Sequence, residues 1–395
     1  MLNLFLKRMY IRTLILITFL SDILINLKYL ILNIIYIKKM ALMQLVAYGA
    51  QDVHLTGNPE ISFFDPNYKR YTNFGSENKD INFPIEFGKT ADIYIPRNGD
   101  LLSKSYIKIN IQGDDNINNF VPNLGERIIK TFTIIIGGKK ISSYDNDYMK
   151  LYNYTNRKDH DYIMYKNLIK LEDGCLIIPL LFWFCKDPSL SIPLIALQYH
   201  ELKISLEFES IENIYNGDKE ITLKGSLMCD YICLNSNERR GFQSIEKKYL
   251  IEQVHVNEYD ITEEEEQIFR FNFNHPTKQL FWIIKDNNDF VSHLNRVAIQ
   301  LNGQNLIEKD AIYFSKIQPY QNKQYSMKGL YSYSFSLNPN NLQPSGSINF
   351  SRIDNSCLKC QFKPSESTNR KIKVYAVNYN ILKIMSGMGD LAYSN

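Results

Sequence analysis

A chain of 395 residues suits two domains of ordinary size, each able to bury its own core. With 45% hydrophobic and 22% charged residues it reads as folded and globular, which excludes a disordered or low-complexity role. The formal charge of +3 comes from one end: residues 1–39 hold six basic side chains against one acid, leaving 39 basic and 41 acidic residues beyond. No strongly basic domain remains to neutralise phosphates, which argues against direct nucleic-acid binding.

The first 39 residues differ from the rest. Thr13 to Ile37 is rich in Leu, Ile and aromatic residues and is interrupted by Asp22, Asn26, Lys28 and Asn33. It is long enough to span a bilayer, but a central Asp and Lys each cost roughly 2.5–3.5 kcal/mol on insertion scales. A signal peptide lacks a clear small-residue cleavage site here. The third reading is that Met40 is the true start and that residues 1–39 are upstream sequence. Abrupt composition change and low cysteine usage favour it over a membrane anchor.

From Ile61 onward, short segments of alternating polarity are separated by Pro, Gly, Asn and Asp. The 27 Tyr and 22 Phe, with frequent Ile, suit pleated and half-buried surfaces. Ile107 to Ile111 is a period-2 strand. Phe132 to Ile136 runs into Gly137-Gly138 and resumes at Lys139, a tight hairpin whose glycines allow the positive φ of a type I′ turn. Val297 to Leu301 runs into Asn302-Gly303 and repeats the device.

The two hairpins align at an offset of 165, which pairs Ile134 with Ile299, Ile136 with Leu301, Gly138 with Gly303 and Tyr148 with Tyr313. Phe184 to Pro188, with Pro193 and Leu197-Gln198-Tyr199 after it, aligns at an offset of 151. Its counterpart is Phe335 to Pro339, with Pro344 and Ile348-Asn349-Phe350. The first copy is then longer by 14 residues, expected as a polar surface loop within Asn153–Cys175. Two landmarks in one order predict a duplicated β domain of the sandwich or jelly-roll kind. The expected layout is residues 1–39 as leader, 40–235 as the first barrel, 236–247 as linker and 248–395 as the second barrel. Asn235 to Arg240 reads as a capped polar helix, and Glu263–Glu266 as a solvated turn.

Chemistry is sparse. His54, His160, His200, His255, His275 and His293 are scattered without a His-x-His pair and are expected as turn or surface groups. Cys357 and Cys360 form a lone CxxC, and a spacing of three on a strand turns the thiols to opposite faces. Cys229 and Cys233 share a face and read as core. With Cys175 and Cys185 they make six, too few for a disulfide framework, so reduced and mostly buried thiols are expected. No phosphate-binding loop or nucleophile elbow occurs, and Gly387-Met388-Gly389 is too short for a dinucleotide fingerprint. The glycosylation sequons at Asn153 and Asn349 are discounted, the second because it lies inside a predicted strand. No catalytic, cofactor-binding or metal residue is assigned, and no cofactor is expected.

Particular segments carry a resemblance. Leu45 to Asp52, then Leu55 to Pro59, Ile95 to Leu101, Phe182 to Cys185 and Pro193 to Glu201 are one set. Phe273 to Pro276, Gln318-Pro319-Tyr320, Gln343 to Gly346, Asn349 to Asp354 and Tyr379 to Met388 continue it. Together they resemble the major capsid proteins of nucleocytoplasmic large DNA viruses, from about Leu42 to Asn395. The resemblance implies an all-β double jelly roll, two eight-stranded antiparallel β-barrels in tandem. It also implies a structural, non-enzymatic protein assembled in the infected host cytoplasm into the virion capsid. Its expected partners are its own homotrimer of pseudo-hexagonal outline, neighbouring trimers in an icosahedral shell, minor capsid proteins and an inner virion membrane. The leader and the short loops depart from the pattern; short loops put elaborate surface towers in doubt. Two other readings stay open: a scaffolding relative, and a glycan-binding jelly roll using tyrosines such as those in Tyr148–Tyr165.

Overall fold

The structure is a computed structural model describing residues 2–66, 68–114, 116–156, 159–286, 289–364 and 370–393. It divides into two units, Met1–Tyr71 and Thr72–Asn395. In the first, helix α1 (Leu2–Val46) runs through Met40 without a break and is followed by a single turn, α2 (Val53–Thr56). Among the described residues, no helix is long and apolar enough to cross a membrane.

The second unit is a tandem of β-barrels. Barrel one is built from β1 (Phe74–Pro84), β2 (Thr90–Tyr94), β3 (Leu101–Gln112), β4 (Ile129–Ile136) and β5 (Lys139–Asp145). It continues with β6 (Cys175–Pro179), β7 (Ile192–Pro193), β8 (Leu202–Phe208) and β9 (Thr222–Leu234). One sheet has the order β1-β9-β3-β6 with β7 beside β3, and the other β2-β8-β4-β5. Alternation makes each strand one-sided. In β3, Ile107, Ile109 and Ile111 are buried while Lys104 and Gln112 are exposed.

Asn235 caps helix α5 (Ser236–Ser244) by accepting from the amides of Asn237 and Glu238, as its position before a polar run predicts. Barrel two follows with β10 (Lys247–Asp260), β11 (Glu266–Arg270), β12 (Pro276–Asp286), β13 (Asp289–Phe290), β14 (Leu294–Leu301) and β15 (Gln304–Asp310). Then come β16 (Leu330–Ser334), β17 (Ile348–Asn349), β18 (Ser356–Phe362), β19 (Arg370–Met385) and β20 (Met388–Leu391). Its sheets run β10-β19-β12, with β13, β16 and β17 on β12 and β20 on β19, and β11-β18-β14-β15. Strand for strand this is the order of barrel one, so the fold is a double jelly roll. Short additions (β7, β13, β17 and β20) make each barrel more than a bare pair of four-stranded sheets.

The duplication reaches the irregularities. In barrel one the register slips between Ile134 and Ile135 against β5, and between Ile129 and Thr131 against β8. In barrel two it slips between Ile299 and Gln300 against β15, and between Leu294 and Arg296 against β18. Both bulges recur at the offset of 165 expected from the hairpins. Both turns have positive φ at each central residue: Gly137 and Gly138, then Asn302 and Gly303. A third turn of this kind, Ser386-Gly387, joins β19 to β20 and explains the glycine that no nucleotide motif needed.

Three expectations need correction. The Phe184 and Phe335 landmarks fall in matching connections, but the flanking strands β6 and β16 match at an offset of 155, as Cys175 to Leu330. The offset of 151 therefore reflects similar turn chemistry, not superposable residues. The extra length in copy one is ten residues, and it is not a loop. The segment after β5 folds as α3 (Asn146–Asn156), which has a helical counterpart at 311–321 in barrel two, and α4 (Asp159–Ile169), which has none; buried Tyr148, Leu151, Tyr165 and Ile169 hold the two. Finally, Asn349 is exposed at the end of β17 and caps the turn after it, so that sequon does not lie within a strand.

Candidate functional site: the seam between the barrels

Among the described residues, no group of three or more His, Cys, Asp or Glu could hold a metal ion. All six cysteines are free. Cys357 and Cys360 point to opposite faces of β18 yet both are buried, whereas Cys233 is exposed where β9 runs past the end of β3 and pairs with β1 alone. The core reading of Cys233 is thus corrected: a shared face buries a residue only where something lies above it. The tyrosines of Tyr148–Tyr165 form no platform for sugar, because none is exposed and Tyr154 meets Tyr162 edge-on at 5.3 Å. The residues that converge do so between the barrels.

The sheet of β10, β19, β12 and β16 buries apolar side chains on both faces. Leu280, Trp282, Ile284, Ile372, Val374 and Ala376 fill barrel two. Phe281, Ile283, Tyr375 and Val377 point the other way and join the core of barrel one. A strand covered on both sides needs no polar face, which is why Leu280-Phe281-Trp282-Ile283-Ile284 is a continuous apolar run. Its counterpart in β3 alternates. Barrel one answers with Ile141 and Tyr144 of β5 and Tyr148 of α3, whose ring lies 5.8 Å from that of Tyr375.

Two ion clusters sit in this seam. In the first, Lys373 Nζ lies 3.0 Å from Asp145 Oδ2 and 2.7 Å from Asp147 Oδ2, and Lys285 Nζ lies 2.9 Å from Asp147 Oδ2. Tyr375 donates its hydroxyl to Asp145 Oδ2 at 2.9 Å. Burial disfavours a charged Asp147, but Lys285 and Lys373 outweigh it and hold the carboxyl below its usual range. In the second cluster, Glu252 of β10 binds Lys186 of barrel one at 2.6 Å and also Lys278 of β12. Burial alone would raise the Glu252 pKa; the two ammonium groups bring it down to about 2.

The C-terminal hairpin closes the far end. Tyr199 donates its amide to Gly387 O at 2.9 Å, His200 Nδ1 lies 3.0 Å from Gly389 O, and Lys139 pairs with Asp390 at 2.6 Å. The approach is tight. A Cβ at Gly387, which has φ +80°, would sit 2.5 Å from the Tyr199 ring, and one at Gly137 would sit 2.3 Å from His200.

The histidines also depart from expectation. His275 is buried and its ring lies 5.6 Å from that of His255, since β10 and the start of β12 flank the same strand, β19. His200 belongs to the hairpin contact, His54 is exposed on α2, His293 is half-buried outside the strands of the seam sheet, and the His160 side chain lies outside the described residues. Burial, with repulsion from His275 and Lys140, lowers the His255 pKa to about 4. The unfolded chain then binds the extra proton, so stability is lost as pH falls from about 6.5 towards 4, by up to roughly 3 kcal/mol. His255→Gln should flatten this part of the urea-midpoint profile between pH 7 and 4.5. An unchanged slope would remove His255 as the cause.

Comparison with known proteins gives a consistent result. A family model described as "Major capsid protein N-terminus" matches residues 62–236, and one described as "Large eukaryotic DNA virus major capsid protein" matches residues 238–390. The major capsid protein of Pyramimonas orientalis virus is 36% identical, covering 90% of this chain and 99% of that one. That of Paramecium bursaria Chlorella virus 1 is 34% identical at the same coverage. A quasi-atomic structure of the PBCV-1 virus capsid aligns with a TM-score of 0.77 and 29% identity, over 85% of this chain and 100% of its own.

Proposed function

The chain belongs to the major capsid protein family of large eukaryotic DNA viruses and has a structural role in the virion capsid, and from that premise we propose how it builds the shell. Three copies close into a homotrimer of pseudo-hexagonal outline. Trimers tile an icosahedral lattice over an inner membrane, assembled in the host cytoplasm, with minor capsid proteins at their base and no direct contact to nucleic acid. Residues 236–247 serve as the linker joining the barrels.

The observation that carries this reading is the pair of topologically identical barrels, matched down to their bulges and locked by a buried, charged seam. Two like modules per chain supply six to a threefold ring. A permanent ring buries on the order of 2,000–5,000 Å² per interface with an apolar centre, and closure satisfies every such patch. Weaker contacts remain between trimers, which lets a growing lattice correct errors. Sedimentation equilibrium of the purified full chain is expected to give a mass of three chains at micromolar concentration. A monomer or a twofold dimer across that range would contradict the reading.

A further inference from the structure

We propose that a small cavity at one end of the seam is an anion site, in which a hydrogen phosphate ion bridges the two barrels of one chain. The inference goes beyond the capsid role and does not depend on the trimer, because every residue it needs lies in a single chain.

The cavity holds about 80 Å3, well under the roughly 300–1,000 Å3 of a pocket for a drug-sized molecule, so its occupant is small. Asn123, Glu126 and Arg127 line it from the connection between β3 and β4, and Lys150 from α3. Barrel two supplies Lys285 and Phe290.

The acids on its wall are already engaged. Glu126 Oε1 holds Lys166 at 2.9 Å, and Asp147 is held by Lys285 and Lys373. The cations are not. Among the described residues, no hydrogen bond or ion pair engages the Arg127 guanidinium or the Lys150 ammonium. Lys150 Nζ instead lies 4.4 Å from the centre of the Phe290 ring. Burial lowers the Lys150 pKa; Glu126 opposes that shift, and Arg127 and Lys166 add to it. Asn123 gives its side-chain carbonyl to Lys166 at 3.2 Å, which leaves its amide nitrogen as a further donor.

Two unpaired cations and an amide donor around a small space call for an anion. One acceptor narrows the choice: Glu126 is 4% exposed, and its Oε2 is buried without a donor. Hydrogen phosphate answers both needs, since its charged oxygens suit Arg127 and Lys150 and its hydroxyl suits Glu126. Sulfate has the same shape but carries no proton near neutral pH. Bound there, phosphate ties α3 and the β3–β4 connection of barrel one to Lys285 at the end of β12.

The test is calorimetric titration of the full chain with inorganic phosphate, beside thermal unfolding in phosphate, sulfate or chloride at equal ionic strength. Phosphate is expected to bind one ion per chain and to raise the midpoint saturably, with sulfate about tenfold weaker and chloride without effect. Arg127→Gln and Lys150→Met are each expected to weaken phosphate binding by about tenfold or more, and Lys170→Met, outside the cavity, to leave it unchanged. Lys150→Met removes a half-buried charge, so its midpoint without phosphate should equal or exceed the parent's, which shows that it folds. A parent that binds no phosphate, or responds equally to chloride, holds only solvent in the cavity and overturns the proposal. Undiminished binding by both cavity variants places the ion elsewhere and overturns the site. Sulfate binding as tight as phosphate overturns the role given to Glu126.

Discussion

Glu252→Gln is expected to lower the unfolding free energy by about 3–5 kcal/mol, seen as a large drop in the urea midpoint at pH 7. Glu252 is the anion between Lys186 and Lys278, whose side chains are only 16% and 8% exposed. Removing it leaves two ammonium groups buried against each other, and that uncompensated charge is costlier than the lost hydrogen bonds. Lys278→Met in the same chain should restore part of the loss, since it removes one of the two cations. The pH dependence gives a sign to check. The Glu252 pKa lies near 2 in the folded chain, below its unfolded value of about 4.5. Its contribution is therefore complete above about pH 4.5 and fades as pH falls towards 2, so parent and variant should converge in acid. A deficit under about 1 kcal/mol at pH 7 would mean that the cluster is solvated rather than sealed.

Tyr375→Ala should cost a similar amount, about 3–5 kcal/mol, because it empties the middle of the seam. The ring is 1% exposed, packs near Tyr148 and anchors Asp145 through its hydroxyl. Tyr375→Phe keeps the volume and loses the donor, so about 1–2 kcal/mol is expected. The gap between the two variants separates packing from hydrogen bonding. Equal losses, measured by chemical denaturation, would show that packing at Tyr375 contributes little.

These variants address what the sequence left least visible. Turn chemistry is local, so Gly137-Gly138 and Asn302-Gly303 announced both hairpins and, through their spacing, the duplication. Alternation in β3 is equally local. The seam is not, because it joins Asp147 to Lys373 and Glu252 to Lys186 across long stretches of chain. One signal was available: the run Leu280 to Ile284 lacks the polar alternation of its counterpart Ile107 to Ile111. That contrast marks the sheet with both faces covered. The polar, Tyr-rich stretch from Tyr148 to Tyr165 misled for a related reason. Its tyrosines look exposed one at a time, but helical spacing gathers Tyr148 and Tyr165 inward. The histidines behave likewise, since a residue distance of 20 between His255 and His275 becomes a ring contact only once β19 lies between their strands.

Single-particle electron microscopy of the purified full chain tests the central claim most directly. The expected particle has threefold symmetry and six barrel-sized lobes in one ring, with barrel one and barrel two alternating. A threefold particle with three lobes, or a twofold particle, would contradict it.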